Sequence, residues 1–194
     1  LIDVSREYKL EVIEDAAESL GSFYKGRHTG NWGKLAILSF NGNKSITTGG
    51  GGAIIANDEN LAKLAKHLTT TAKIPHRWEY RHDQIGYNYR LPNINAAIGC
   101  AQMEQLHVFM KKIRNLASRY SQAFQNVEGV HFFNEPPNAK SNYWLNVLLL
   151  DDANIEQRNI LLEKTNNAGI MTRPVWTLLN KLDMFKDCPC MDLT

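Results

Sequence analysis

The chain has 194 residues, 43% of them apolar and 22% charged, enough to bury the core of one domain or of two small ones. A formal net charge of +2 argues against a nucleic acid or an anionic membrane as partner. The three cysteines fit neither a disulfide framework nor a metal-ligand spacing, which favours a reducing, cytoplasmic setting with no metal.

In chain order, Leu1 to Lys9 reads as the end of a helix feeding a strand at Glu11–Glu14. Asp15-Ala-Ala-Glu18 follows, then an apolar Ser22-Phe-Tyr24, a turn over Lys25–Gly30 and a strand at Leu35–Leu38. A polar, glycine-rich stretch around Lys44 leads into a strand at Ala53–Ala56. Asn57-Asp58 then opens a helix with apolar spacing at Leu61, Leu64, Ala65 and Leu68. Strands interleaved with helices predict an α/β layer structure. The segment Thr69–Tyr89 lacks periodicity and reads as a long functional loop, with His76, Arg77, Arg81 and His82 as a basic, solvated stretch. Pro92 opens a helix whose apolar positions are Ile94, Ala97, Ile98 and Ala101. A second helical pattern runs through Ile113, Leu116, Tyr120 and Phe124 and ends near Gly129. A strand at Trp144–Leu150 and a helix from Ile155 to Gly169, capped by Asn154 with Gln157, predict a smaller α+β domain with Tyr143 and Trp144 in its core. Both ends of the chain read as cuts through a longer protein.

The chemistry concentrates around Lys44, at the end of a strand in the run Ser39-Phe-Asn-Gly-Asn-Lys44. A lysine among hydroxyls and permissive backbone suits Schiff-base chemistry or phosphate binding. A P-loop needs glycine directly before the lysine and again five positions earlier, but those positions hold Asn43 and Leu38. The glycines at 49–52 lead into a strand rather than a helix, so a dinucleotide fingerprint fails as well. Asp15, where a strand exits, suits a helix cap, a solvated turn or the partner of a cationic ring nitrogen. Ser39 is placed to donate to a phosphate.

Five segments, Glu14-Asp-Ala-Ala-Glu18, Ser39-Phe-Asn-Gly-Asn-Lys44, Ile46-Thr-Thr-Gly49, Gly86-Tyr-Asn-Tyr-Arg90 with Ala96-Ala-Ile-Gly99, and Thr172-Arg-Pro-Val-Trp176, resemble the motif set of the DegT/StrS-type nucleotide-sugar aminotransferases, in that family's order. The resemblance implies a fold-type-I pyridoxal phosphate enzyme. Residues 1–108 would be the C-terminal part of a large mixed-sheet cofactor domain and 109–194 an incomplete small domain. Members run to roughly twice this length. Part of the pocket, including a phosphate-binding loop and a ring-stacking aromatic, would therefore lie outside this chain.

By resemblance, Lys44 is the Schiff-base lysine and proton carrier. Asp15 keeps the pyridine nitrogen protonated, Glu18 faces the phenolic oxygen and Ser39 binds the phosphate. Asn88 reaches the neighbouring subunit's cofactor phosphate, which implies a homodimer with shared sites. Arg173 and Trp176 lie near the sugar-nucleotide pocket. Arg90 is open between a substrate-anion contact and a structural ion pair. The motif variant resembles the branch that aminates UDP-4-keto-6-deoxy-N-acetylhexosamines of the bacillosamine and legionaminic acid pathways, with L-glutamate as donor. The alternatives are a sugar dehydratase of the same fold, whose branch has histidine at the lysine position, and a non-catalytic cofactor-binding or dimerisation fragment.

Overall fold

The computed structural model describes residues 1–152 and 154–191. Residues 192–194 lie outside the described residues. Two compact units are present: residues 1–127 with 131–148, and residues 128–130 with the described residues from 149 on.

In the first unit, α1 (Ile2–Glu7) precedes β1 (Ile13–Asp15). β1 pairs in parallel with β4 (Leu35–Ser39), with Asp15 opposite Ile37, and β4 pairs antiparallel with β5 (Gly52–Ala56). The sheet is mixed, with order β1-β4-β5, as the α/β reading expects. Between β1 and β4, β2 (Phe23–Tyr24) and β3 (Arg27–His28) form a hairpin. Lys25 and Gly26 both take positive φ (48° and 76°), the signature of a tight two-residue turn. Side chains alternate across the sheet. Ala36 is fully buried on the face it shares with Glu14 and Ile55, while Asp15, Ile37 and Ile54 share the exposed opposite face.

Helix α2 (Glu59–Thr69) starts where its cap predicts: Asp58 accepts the N–H groups of Asn60 (2.8 Å) and Leu61 (3.1 Å). The following segment, expected as a loop, contains a short antiparallel hairpin of β6 (Lys73–Ile74) and β7 (Arg81–His82). His67 Nε2 bonds Asp83 Oδ1 at 2.6 Å, and that bond holds the Asp83 carboxyl below the usual range. Tyr87 and Tyr89 donate backbone N–H groups to Leu68 and Thr69. Periodicity misses this element because its strands are two residues long.

Helices α3 (Asn93–Glu104) and α4 (Leu106–Phe124) follow, with Pro92 as the N-cap of α3. Met110 of α4 packs where Gly21 leaves space; a Cβ there would lie 2.6 Å from its sulfur. Strand β8 (Val130–Phe132) comes next, and β9 (Ala139–Lys140) returns to pair with β2. The strand expected at Trp144–Leu150 is only β10 (Leu148–Leu150), paired with β8. Upstream the backbone turns, since Tyr143 has φ 48° and the Trp144 N–H goes to the Asn142 side chain at 3.0 Å. In the second unit, α5 (Ile155–Asn167) carries the expected cap. Asn154 Oδ1 accepts from Glu156 and Gln157, and Gly169 (φ 77°) follows the helix. Short 3₁₀ turns lie at Leu179–Lys181 and Asp183–Phe185.

The segment between β8 and β10 is tied to α4 by one ion pair. Arg114 forks onto Glu135 through two bonds (2.9 and 2.8 Å) and packs over the Tyr143 ring. The Arg114 hydrogen bond is the largest cause holding the Glu135 carboxyl below its usual range, and the same pair raises Arg114. A lowered carboxyl stabilises the fold above its unfolded pKa and loses that contribution as pH falls through the folded value. Glu135→Gln is therefore expected to cost about 1–3 kcal/mol near neutral pH. In urea titrations at a series of pH values the gap to the wild type should close below about pH 4.

Candidate active site

Glu14 and Asp15 are neighbours on β1 and point to opposite faces. The Glu14 carboxylate accepts three backbone N–H groups, from Gly30 (2.7 Å), Trp32 (2.6 Å) and Gly33 (2.6 Å). Asp15 Oδ1 accepts only the Ala17 N–H (3.1 Å), and among the described residues no ion pair engages its carboxylate. The motif thus holds one structural acid and one acid left open at the exit of a parallel strand, where α/β sheets bind ligands.

Ser39 ends β4, the parallel neighbour of β1, and its Oγ accepts the Asn41 N–H at 3.3 Å. Lys44 lies in the connection from β4 to β5, its side chain 13% exposed. Lys44 Nζ is 3.3 Å from Glu18 Oε1 and 4.0 Å from the centre of the Trp144 ring. Ala17, Glu18, Leu20, Ser39, Lys44 and Trp144 help line a cavity of about 10 Å³, room for roughly one water. Lys44, Glu18 and Ser39 therefore meet at one place, and Asp15 exits the adjoining strand.

The strip after Lys44 is buried: Ile46 and Thr48 are each 1% exposed. Helix α3 holds it down. Gln102 Oε1 accepts the Thr47 N–H at 2.8 Å, and the Asn95 amide donates to the Thr48 carbonyl. A Cβ on Gly99 would meet Thr48 Cγ2 at 2.9 Å. Asn95, Gly99 and Gln102 fall at i, i+4 and i+7, one helical face. The apolar positions of α3 lie off this face: Ile94 is 78% exposed, and Ile98, Ala97 and Ala101 are exposed too. The inward stripe is polar because it faces loop backbone whose N–H and C=O groups need partners.

Asn88 and Arg90, in the same unit, are not among the residues that line this cavity. Asn88 is exposed and bridges Thr70 at the base of the hairpin. Arg90 is exposed, engages no carboxylate among the described residues, and borders an open groove of about 700 Å³ with Ile37, Ile54, Lys66 and Tyr89. Arg173 and Trp176 belong to the second unit and are exposed; Arg173 donates to Asn166 Oδ1 (3.2 Å) and to the Thr172 carbonyl. Sequence reasoning missed Trp144, expected in a small-domain core but found on Lys44, and Asn142, which holds it. Their distance in sequence, about a hundred residues from Lys44, left no local signal.

Residues 1–191 match the model of the DegT/DnrJ/EryC1/StrS aminotransferase family. The chain belongs to that family. It is 40% identical over 185 residues to EpsN of Bacillus subtilis (strain 168), covering 95% of this chain and 47% of that protein. It is 37% identical over 187 residues to GDP-perosamine synthase of Escherichia coli O157:H7, covering 96% and 50%. Among solved structures, Helicobacter pylori PseC, an aminotransferase involved in the biosynthesis of pseudoaminic acid, superposes with a TM-score of 0.91 at 23% identity, over 96% of this chain and 51% of that one. The aminotransferase TlmJ from Streptoalloteichus hindustanus gives 0.88 at 25% identity, over 95% and 50%. The fold-type-I expectation thus holds for this stretch, and the family is one of pyridoxal phosphate-dependent sugar aminotransferases. The chain spans about half the length of the curated relatives it matches. Among the described residues no helix is long and apolar enough to cross a membrane, and no group of acidic, histidine and cysteine side chains is arranged to hold a metal.

The polar stripe of α3 makes a direct prediction. Gln102→Leu leaves the Thr47 N–H without its partner and should destabilise the protein by about 1–3 kcal/mol in urea unfolding. Protection of the 46–49 amides from hydrogen exchange should fall with it.

Proposed function

We propose that this chain carries the lysine-bearing part of a pyridoxal phosphate-dependent aminotransferase that transfers nitrogen from L-glutamate to the ketone of a nucleotide-sugar, at ring C4, in the cytoplasm. The observation that carries the reading is the convergence of Lys44, Glu18 and Ser39 on one cavity beside the open carboxylate of Asp15. That donor set fits the cofactor: an amine for an aldehyde, a carboxylate for a cationic ring nitrogen and a hydroxyl for a phosphate.

Bound pyridoxal phosphate supplies an aldehyde carbon and a protonated ring that withdraws electrons from the reacting carbon. Lys44 Nζ would hold that carbon and, as a free amine, would carry a proton to and from the carbon bearing the transferred nitrogen. Asp15 would keep the ring nitrogen protonated through its open carboxylate oxygen. The Ser39 hydroxyl would donate to the phosphate. Glu18, paired with Lys44 in this structure, gives the released amine a counter-charge close at hand. Asn88, exposed at the hairpin base, reaches the corresponding phosphate of a second copy in a homodimer. Arg90, Arg173 and Trp176 contact the nucleotide-sugar.

The names of the relatives bear on the sugar. GDP-perosamine synthase is 37% identical over 187 residues. The Campylobacter jejuni (strain 81-176) UDP-4-amino-4,6-dideoxy-N-acetyl-beta-L-altrosamine transaminase is 33% identical over 172 residues. The motif variant favours a UDP-4-keto-6-deoxy-N-acetylhexosamine; a GDP-linked 4-keto sugar is the second reading, favoured by the higher identity. Coupled assays with both sugars decide between them by relative kcat/KM. Lys44→Ala should abolish the cofactor's visible absorbance band and reduce transamination by about 10³-fold or more. Unchanged turnover in that variant would sink the assignment.

A further inference from the structure

Lys44 Nζ has two neighbours, and both are tied to one buried residue. The Trp144 ring centre lies 4.0 Å from Nζ, and Glu18 Oε1 lies 3.3 Å away. Trp144 is anchored once through its ring and once through its backbone. Its Nε1–H donates to the Asn43 carbonyl at 2.6 Å, and its backbone N–H donates to Asn142 Oδ1 at 3.0 Å. Asn142, 5% exposed, then donates its amide to the carbonyls of Glu18 (2.8 Å) and Leu20 (3.1 Å), and its own N–H goes to Ser22 Oγ (2.9 Å). Every polar group of the Asn142 side chain is thereby used. A fully bonded buried amide fixes its neighbours far more sharply than apolar packing does.

We propose that Trp144 is the positioning residue for Lys44, and that Asn142 couples it to the Glu18 turn so that the amine is presented in one orientation. The proposal rests on the reading that Lys44 is the reactive lysine. In capture, Nζ adds to an aldehyde carbon, a C=N bond replaces C=O, and the oxygen leaves as water with both amine protons. That addition needs Nζ aimed along a narrow approach, and a long flexible side chain reaches it only when its end is confined. An aromatic face confines a lysine terminus without consuming a hydrogen-bond donor. The Nε1–H bond to Asn43 ties the ring to the residue preceding Lys44, so ring and amine move together.

The test compares wild type, Trp144→Ala and Trp144→Phe in two assays. The first is the rate at which pyridoxal phosphate is captured at Lys44, trapped with borohydride and located by peptide mass spectrometry. The second is acetic anhydride labelling of Lys44 relative to the exposed Lys63, run without cofactor. In Trp144→Ala capture should slow by about 10-fold or more while relative labelling rises, because the ring both aims and covers the amine. A general loosening of the fold moves labelling of all lysines together and does not give these opposite signs. Trp144→Phe keeps a ring but loses the bond to Asn43. It should label like wild type and capture about 3-fold more slowly. Capture in Trp144→Ala at or above the wild-type rate, or unchanged relative labelling, overturns the proposal. Should Trp144→Ala not fold, wild-type capture by Trp144→Phe overturns it. If wild-type protein forms no adduct at Lys44, the aminotransferase reading fails, while the labelling arm still reports whether Trp144 covers the lysine.

Discussion

The carboxylate of Glu14 organises the first unit. Three backbone N–H groups of the 30–33 turn converge on it, each at 2.7 Å or less. A part-buried carboxylate bonded in this way resists displacement, because any shift leaves a charge and several donors unsatisfied together. The turn it holds leads into β4, and the Lys34 N–H bonds the Val12 carbonyl at 2.8 Å. Gly33 is required there, since a Cβ would come within 2.6 Å of the same carbonyl oxygen. With the turn pinned, β4 can meet β1 in only one register. Strand alternation then sends Asp15 to the opposite, open face.

From that register the site is assembled by long-range polar contacts rather than by an apolar core. The connection between β4 and β5 is held from α3 by Asn95 and Gln102, and from the 142–144 segment by the indole of Trp144. The two contacts from α3 satisfy part-buried backbone groups of Thr47 and Thr48 that would otherwise lack these partners. The result is a rigid floor, with Ile46 and Thr48 sealed beneath it, and a lysine end that faces an acid and a ring. A side chain supported in this way is confined to few orientations.

Much of this was legible in advance, and the misses share a cause. The caps at Asp58 and Asn154 and the mixed α/β character follow from local patterns in the chain, and the family resemblance groups Glu18 with Lys44 and Ser39, which line one cavity. Hydrophobic periodicity locates α3 but carries no sign of its polar stripe, because that rule reports apolar packing whereas Asn95 and Gln102 hold loop backbone. The strand expected from Trp144 began four residues late, because Asn142 takes the N–H that a strand would use. The hairpin after α2 escaped notice because its pairing is held by His67–Asp83 and by backbone bonds to Leu68 and Thr69, contacts that no window of sequence displays.

The amino-acid order alone determined the class of chemistry. Asn43 and Leu38, where a phosphate loop needs glycines, exclude that motif, while a serine five residues before the lysine and an acid at the exit of an earlier strand point to amine chemistry. The family's motifs stand in their own order. Tertiary structure alone decided which residues hold that lysine. Trp144 and Asn142 lie about a hundred residues from it and entered the site only when the chain folded back through β9 onto β2. Local pattern specifies what a residue can do, because side-chain chemistry and backbone preference are carried by neighbours. What restrains it depends on which distant donors and acceptors are left over once the strands have paired.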